Sequence, residues 1–263
     1  MADLSRPRWL YKFELKTDKW VFVPDDDTKE YGRRLQRRIR KLWKPPHHYV
    51  HLGPQGHVRA LKTHLSSKYF ARIDLKGFYT SINKTRVTRH LHDLFRDYDA
   101  ARIAAVMSTV PNPVADFPKY VLPFGFVQSP LLAALCLYRS KLGAVIRELP
   151  RFIKRCVYVD DILISTKRSG EELQLAYDSL LLAAQKSGFT LNNAKLAPPS
   201  ESIQVFNIEI AHQQLHIALP RLEEFQSAIS SAPSENVVEG ILSYVKSVNE
   251  EQELALRLGV TAL

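Results

Sequence analysis

An acidic pair between two apolar runs constrains the fold of this chain more than any other feature. Residues 156–165 read CVYVDDILIS, with Asp160 and Asp161 between the apolar halves. The apolar runs predict a buried strand pair, and aspartate tolerates turn backbones well, so the pair has an ordinary explanation as a hairpin turn. Buried acidic clusters are nevertheless costly without a metal or a partner. The neighbouring motifs therefore decide whether these carboxylates carry chemistry.

Periodicity and capping residues predict the other elements. A helix is predicted over 31–44, where Leu35, Ile39 and Leu42 recur at helical spacing. A second helix runs from Ser169 to Ser187, because an S-x-x-E capping box opens it. The remaining predictions are short strands around the HLGPQG turn within 47–64, a strand at 71–75, helices at 85–95, 99–107 and 129–146, a loop at 110–126, strands at 190–191, 203–210 and 214–218, and tail helices at 220–231 and 237–258.

The composition, 45% hydrophobic and 24% charged, is that of a globular protein and argues against disorder, collagen and coiled coil. No run of 18 apolar residues predicts a membrane span, and the N-terminus does not resemble a signal peptide. Cys136 and Cys156 form neither a disulfide framework nor a zinc spacing. We therefore expect a cytoplasmic location and no membrane partner.

Positive charge is concentrated in one part of the chain. The 37 Lys and Arg against 27 Asp and Glu give a net charge of +10, and residues 31–73 hold 11 Lys and Arg with no acidic residue. Such a segment favours RNA or DNA, because basic side chains that neutralise phosphates release counterions; a solvated basic helix is the alternative. The candidate nucleic-acid-binding residues are Arg33, Arg34, Arg37, Arg38 and Lys41.

Five segments, in order, resemble the motifs of the reverse transcriptase family. They are DLKGFYTSI from Asp74, LPFGFVQSPLLAALCL at 122–137, YVDD at 158–161, SGFTLNNAKL at 187–196 and IQVFNIEI at 203–210. The resemblance implies an α+β, right-hand polymerase with fingers, a palm built on a ferredoxin-like antiparallel sheet, and a short helical thumb. The expected divisions are 1–70 for the basic segment and fingers, 71–210 for the palm with a fingers insertion at about 85–125, and 211–263 for a connection hairpin and thumb.

The resemblance also implies nucleotidyl transfer with two Mg²⁺ ions, or Mn²⁺ in their place. Two ions roughly 3.5–4 Å apart clamp the attacking and leaving oxygens in such reactions, and Mg²⁺ prefers hard oxygen ligands. Asp74 and Asp160 are the predicted ligands, with the backbone oxygen of Leu75 completing the shell. Strand alternation points Asp161 to the other side, although the family pattern includes it in the catalytic and metal-binding set.

Several residues resemble the family's nucleotide contacts. Tyr79, five residues after Asp74, resembles the aromatic that blocks a 2′-hydroxyl, which favours DNA synthesis; a core aromatic is the alternative. Arg59 resembles the finger arginine of the triphosphate site, with Lys62 assisting, although HLGPQGHVR lacks the usual preceding lysine. Lys195 resembles the lysine proposed as general acid. The predicted set is Arg59, Lys62, Leu75, Lys76, Gly77, Phe78, Tyr79, Phe124, Gly125, Gln128 and Lys195.

One position departs from the family pattern. Phe124 stands where the family usually has Gln after Leu-Pro. Phenylalanine cannot hydrogen-bond to nucleotide or template, so unusual template handling is expected, with Phe126, Gln128 and Ser129 taking over part of the contact.

The chain's size and its FNIEI and SYVKSVN segments resemble bacterial retron-like and defence-associated, abortive-infection enzymes. This resemblance implies a role in phage defence, with dNTP substrates and a DNA product. It also implies an RNA template, for which a dedicated noncoding RNA is a candidate, and a companion defence protein or a homo-oligomer. Three alternatives stay open. A template-independent or self-primed DNA polymerase is favoured by Phe124, an RNA-dependent RNA polymerase is opposed by Tyr79, and a noncatalytic RNA-binding scaffold is opposed by the carboxylate set.

Overall fold

A computed structural model describes residues 6–54 and 56–259. The chain begins with an antiparallel hairpin, β1 (Trp9–Lys16) and β2 (Lys19–Pro24), which sequence periodicity did not predict. The hairpin is fixed to the body of the protein because the N–H of Phe22 donates to the carbonyl of Phe124 at 2.9 Å. Residues far apart in the sequence are thereby brought together.

Helix α1 (Asp26–Leu42) confirms the predicted basic helix but begins earlier. Asp25 caps its N-terminus, since the carboxylate accepts from the backbone N–H of Thr28 at 2.8 Å. Leu35 and Ile39 are buried, whereas the arginines between them are exposed. The helix therefore buries one apolar stripe and turns its basic residues to solvent.

The predicted hairpin within 47–64 is wrong. The segment forms a short 3₁₀ turn at Val50–Leu52 and a helix, α2 (His57–Lys62). Its glycines flank these turns, with Gly53 ending one and Gly56 capping the next, instead of forming a strand reversal. Tyr49 forms an isolated parallel bridge with Val157, so the segment lies along the central sheet.

A five-stranded antiparallel sheet lies at the centre. Its strands run in the order β6, β7, β3, β8, with β9 pairing with β3, and Asp74 of β3 lies opposite Asp161 of β7. The elements of this region are β3 (Tyr69–Lys76), α3 (Lys84–Phe95), α4 (Tyr98–Val106), β4 (Val110–Pro111), β5 (Tyr120–Val121), α5 (Ser129–Tyr138), α6 (Lys141–Glu148), β6 (Lys154–Tyr158), β7 (Asp161–Thr166), α7 (Gly170–Lys186), β8 (Thr190–Leu191) and β9 (Ala197–Ser200).

Helices pack on this sheet to form the main core. Every side chain of α5 from Leu131 to Leu137 is buried, as the apolar sequence predicts. The prediction of one helix over 129–146 is wrong, because the chain bends by 72° between α5 and α6. Ser140 starts the second helix by accepting from the N–H of Gly143 at 3.1 Å. The capped helix α7 is confirmed, since Ser169 accepts from the N–H of Glu172.

The C-terminal region forms a second apolar core together with residues of α2, β3, β6 and β7. It comprises a three-stranded antiparallel sheet and three helices: β10 (Ser202–Val205), β11 (Ile208–Ala211), β12 (Gln214–Ile217), α8 (Leu219–Ser230), α9 (Glu235–Val248) and α10 (Glu250–Arg257). The second predicted tail helix is divided at Asn249, which ends α9 and caps α10 by accepting from the N–H of Gln252 at 2.9 Å. A strong local cap thus outweighs continuous helical periodicity.

Among the described residues, no single helix has the length and apolar character needed to cross a membrane. The bent pair α5 and α6 passes that test on length and composition together.

Candidate active site

Three carboxylates lie at one edge of the central sheet, and we call Asp74, Asp160 and Asp161 the acidic edge. Asp74 and Asp161 are opposite each other in the β3–β7 register. The backbone carbonyl of Asp160 accepts from the N–H of Leu75 at 3.0 Å. Antiparallel pairing therefore joins residues that are more than eighty positions apart in the sequence.

Asp74 is 3% exposed and has polar partners on both oxygens. Its Oδ1 accepts from Nδ2 of Asn192 at 2.8 Å, while its Oδ2 lies 3.3 Å from Nη2 of Arg72 and 3.5 Å from Nζ of Lys195. Arg72 shares a strand face with Asp74 because side chains two positions apart point the same way. These contacts compensate the cost of burying the charge.

Asp161 is held by the same arginine. Its Oδ1 accepts from Arg72 at 2.6 Å, and Nη1 of Arg72 also donates to the carbonyl of Gln204 at 3.3 Å. Burial raises the pKa of Asp161 to about 6, against the opposing effect of Arg72. Asp161 is thus paired within the protein, and Arg72 links the acidic edge to β10.

Asp160, like Asp161, has a raised pKa. Burial raises its pKa, and the negative charge of Asp74 raises it further, while Lys19 and Lys195 lower it. Within residues 6–54 and 56–259, no group of three His, Cys, Asp or Glu side chains is arranged to hold a metal ion. Mg²⁺ is, however, often bound through one or two carboxylates together with substrate phosphates. Asp74 and Asp160 fit that mode, because a cation between them relieves their repulsion.

The turn that carries Asp160 is strained. Val159 and Asp160 form the loop between β6 and β7, and Val159 has a φ of 58°. Positive φ at the first loop position is typical of a type II′ hairpin, where glycine is preferred. A β-branched residue in this conformation costs about 1–3 kcal/mol and persists only when its surroundings enforce it. The direction of the Asp160 side chain is therefore fixed by surrounding contacts.

Phe124 contacts both Tyr79 and Lys19 beside the acidic edge. The rings of Tyr79 and Phe124 are 4.5 Å apart at 79°, and Nζ of Lys19 lies 4.6 Å from the centre of the Phe124 ring. Burial and the charge of Asp160 raise the pKa of Tyr79. The N-terminal hairpin thus brings a cation to the site, a residue that the sequence reasoning missed.

Two glycines of the predicted nucleotide set occupy positions that demand glycine. Gly125 has a φ of 98°, and a Cβ there would lie 2.2 Å from the carbonyl oxygen of Phe22. Gly77 has a φ of 58° in the turn after β3. The hairpin can therefore approach Phe124 only because no side chain stands at Gly125.

The other predicted nucleotide contacts are dispersed. The side chain of Gln128 is fully buried and donates to the carbonyl of Met107 at 3.3 Å, so its contact with the nucleotide stays a prediction. The Phe78 ring is buried against Phe189, and Leu75 is also buried, which leaves only their backbone groups for a ligand. The exposed Lys76 follows β3 directly.

Arg59 and Lys62 lie on α2, and both are exposed. Lys62 lines a cavity of about 470 Å³ together with residues of β12 and the α9–α10 junction. Among the described residues, neither forms an ion pair with an aspartate of the acidic edge, whereas Lys195 does. Their role at the triphosphate stays a prediction.

Five of the exposed basic residues of α1 form what we call the basic face: Arg33, Arg34, Arg37, Arg38 and Lys41. Glu30 lies 3.3–3.8 Å from three of these arginines and partly neutralises the face. The guanidinium of Arg38 stacks 4.0 Å from the Phe95 ring. The helix therefore presents a row of cations that are spaced along its axis.

A family model described as reverse transcriptase (RNA-dependent DNA polymerase) matches residues 14–208. The chain belongs to the reverse transcriptase family. These polymerases are nucleotidyltransferases that use divalent metal ions, and the matched region includes the whole acidic edge, Tyr79 and Lys195. No curated protein sequence matches the chain.

Solved structures with a similar fold include telomerase from Candida albicans in complex with a TWJ fragment of telomeric RNA. It has a TM-score of 0.53 and 11% identity, with 90% of this chain and 48% of that chain covered. A foamy viral protease-reverse transcriptase in complex with double-stranded DNA has a TM-score of 0.49 and 18% identity, with 92% and 36% covered. The telomerase likeness shows the predicted right-hand, α+β polymerase fold. The chain spans less than half of either protein.

Proposed function

We propose that this protein is an RNA-directed DNA polymerase that extends a primer with dNTPs by two-metal nucleotidyl transfer. The observation that carries the proposal is the pairing of β3 with the β6–β7 hairpin, which brings Asp74 and Asp160 to one edge of the sheet. Carboxylates from separate strands that meet in this way supply the hard oxygen ligands of a magnesium site.

Asp74 and Asp160 would hold the metal ions, with the backbone oxygen of Leu75 beside them. When bound, the ions stabilise the attacking and leaving oxygens of the transferred phosphoryl group. The protein's own groups keep the carboxylates in place: Asn192 and Arg72 fix Asp74, while Arg72 also holds Asp161. Lys195, which lies 3.5 Å from Asp74, would donate a proton to departing pyrophosphate.

The contact between Tyr79 and Phe124 supports selection of deoxynucleotides. The two rings make edge-to-face contact at 4.5 Å, which holds Tyr79 as a wall beside the acidic edge. Steric exclusion of one hydroxyl requires such a fixed wall, because a loosely fitting pocket rejects an added hydroxyl poorly. The buttressing by Phe124 thus favours a DNA over an RNA product.

We infer further that the template is RNA, with a dedicated noncoding RNA among the candidates. The basic face of α1 supports binding to a phosphate backbone. A role in bacterial phage defence, in the cytoplasm and with a companion protein or a second copy, is supported by the resemblance of the FNIEI and SYVKSVN segments.

Template-independent or self-primed DNA synthesis is the second candidate. Phe124 favours it, because its ring is occupied by Tyr79 and Lys19 and offers no hydrogen bond to a templated base pair. The two activities share the acidic edge and differ in their need for a template.

A primer-extension assay with matched dNTP and rNTP pools tests the proposal. Wild type should incorporate dNTPs in an order set by an RNA template, with clear preference over rNTPs. Tyr79→Ala should admit rNTPs while keeping some dNTP incorporation, because the wall is removed. Tyr98→Ala is the matched control, since Tyr98 is exposed on α4.

Products with a sequence that is independent of the template would favour the second candidate. Equal use of dNTPs and rNTPs by wild type would favour an RNA polymerase. An unchanged ratio in Tyr79→Ala would show that this residue is core packing and that the sugar is selected elsewhere.

A further inference from the structure

His51 lies beside the strained turn of the acidic edge. Its Nδ1 is 3.0 Å from the backbone nitrogen of Val159, the residue with a φ of 58° immediately before Asp160. The imidazole also makes a T-shaped contact with the ring of Tyr158, at 6.0 Å between centroids. The sequence reasoning gave His51 no role.

The segment that carries His51 is anchored independently of this turn. The N–H of Val157 donates to the carbonyl of His48 at 2.7 Å, and Tyr49 forms a parallel bridge with Val157. These contacts fix the 3₁₀ turn at Val50–Leu52 along β6. His51 is therefore presented to the catalytic turn from a rigid position.

The imidazole has two backbone neighbours on one nitrogen. Nδ1 is also 3.2 Å from the carbonyl oxygen of Val157, which would require Nδ1 to carry the proton. With the proton on Nε2, Nδ1 accepts from the N–H of Val159. The carbonyl of Pro130 is a further hydrogen-bond partner of this ring. This tautomer is favoured, because a backbone N–H without a partner is rarer than an under-satisfied carbonyl, and the Val159 N–H is partly buried.

We infer that His51 is a positioning residue whose Nδ1 holds the N–H of Val159 and thereby keeps the turn in the left-handed conformation that directs Asp160. Valine resists positive φ, so the turn relaxes toward ordinary backbone angles when this hydrogen bond is broken. Such relaxation moves the Asp160 carboxylate relative to Asp74. The inference rests on the proposed function for its catalytic consequence, but the hydrogen bond itself does not depend on it.

A double-mutant cycle with Val159 tests the inference. His51→Leu removes the acceptor at similar size, and we expect kcat for dNTP incorporation to fall about 10- to 100-fold with little change in KM, because small misplacement of a reacting group has effects of this order. His51→Asn, whose Oδ1 can accept from the same N–H, should retain most of kcat. His212→Ala is the control, since His212 contacts the carbonyl of Ser67 away from the turn.

The decisive comparison is made in the Val159→Gly background. Glycine adopts positive φ without steric cost, so the turn no longer needs the imidazole. His51→Leu should then change kcat much less than it does in the presence of Val159. An equal loss in both backgrounds would contradict the positioning role and indicate a general packing defect.

Nitrogen-15 NMR of labelled protein provides a readout that is independent of activity. Nδ1 of His51 should show the shift of an unprotonated ring nitrogen, coupled through the hydrogen bond to the Val159 amide. A protonated Nδ1 would overturn the inference. If wild type incorporated no dNTP, the proposed polymerase activity would fail, while the NMR result would still decide whether His51 holds the turn.

Discussion

The acidic edge and the basic face of α1 are both clusters of like charge, but they are built in opposite ways. The side chains of Asp74 and Asp161 are 4% and 13% exposed and share the partner Arg72. The side chains of Arg33 and Arg37 are 58% and 65% exposed, and Glu30 is their ion-pair partner among the residues that the structure describes. One cluster is buried and compensated by specific contacts, whereas the other is solvated.

The difference decides how each cluster can act. A buried charge interacts strongly, so its geometry matters and its removal leaves uncompensated partners. Exposed charges are screened by salt and contribute small, nearly independent amounts. The acidic edge is therefore suited to chemistry at a fixed point, and the basic face to sequence-independent attraction of a polyanion.

The largest effect is expected at Asp160. Asp160→Asn keeps the shape of the side chain but removes its charge, and dNTP incorporation should fall more than about 1000-fold, equivalent to about 4 kcal/mol, because the metal clamp is disrupted. The melting temperature should not fall, since burial and Asp74 both disfavour the charged form of Asp160.

Asp99→Asn is the matched control, because Asp99 is an exposed aspartate on α4. Undiminished incorporation by Asp160→Asn, in the same primer-extension assay, would contradict the assignment of the acidic edge as the active site.

Replacing Arg72 tests whether its contacts with the acidic edge stabilise the fold. Arg72→Met keeps an apolar side chain of similar length but leaves the carboxylates of Asp74 and Asp161 without their shared cation. Breaking one partner of a buried pair costs roughly 3–5 kcal/mol, and we expect about 3 kcal/mol here, because the arginine retains slight exposure.

Urea unfolding at neutral pH measures this change. Arg102→Met, which removes an exposed arginine 3.9 Å from Asp99, should change the free energy of unfolding by less than about 1 kcal/mol. Equal changes in the free energy of unfolding of the two variants would contradict the proposed difference between buried and exposed charges.

His64 extends the comparison to a buried base near the same sheet. It is fully buried, and its Nδ1 lies 2.7 Å from Oγ of Ser165. Burial, assisted by Lys154, lowers the pKa of His64 to about 3. The folded state therefore favours neutral His64. Its contribution to the free energy of unfolding is fully present above the unfolded pKa of about 6.5. It is lost as the pH falls from there toward 3.

Unfolding at pH 7 and pH 5 measures this dependence. Wild type should lose about 2 kcal/mol through His64 between these values, since each pH unit below about 6.5 costs about 1.4 kcal/mol. The free energy of unfolding of His64→Gln should fall less between these pH values. That of His92→Gln, at an exposed position on α3, should fall as in wild type. An unchanged slope in His64→Gln would show that other groups govern acid unfolding.

Local patterns in the sequence predicted the parts of the fold that depend on local physics. The capping box of α7, the apolar stripe of α1 and the apolar flanks of the acidic pair each determine their own element. The positions of Asp74 and Asp160 followed because each lies at the end of an apolar strand. Where two local signals conflicted, as at Asn249, the cap prevailed over periodicity.

Local sequence patterns could not predict which residues contact the acidic edge. Asn192 is 118 residues from Asp74, and His51 is 108 residues from Val159, so only the completed topology brings them together. The N-terminal hairpin that carries Lys19 lacked a clear alternation, and Lys19 meets Phe124 from another part of the chain. The sequence reasoning also missed Arg72, although its i, i+2 spacing from Asp74 places both on one strand face.

The basic face gives the smallest effect per residue and completes the comparison. If it grips a phosphate backbone, replacing Arg33, Arg34, Arg37 and Arg38 with Gln should flatten the dependence of log K on log salt by about 0.7–0.9 for each phosphate that is no longer neutralised. The total change in slope should be smaller than that expected for four phosphates, because Glu30 already pairs with three of these arginines. Replacing the same four with Lys retains the charge and should keep the slope. Binding to a labelled RNA between 50 and 200 mM salt measures it, and an equal slope in the Gln and Lys variants would mean that the face is only solvated.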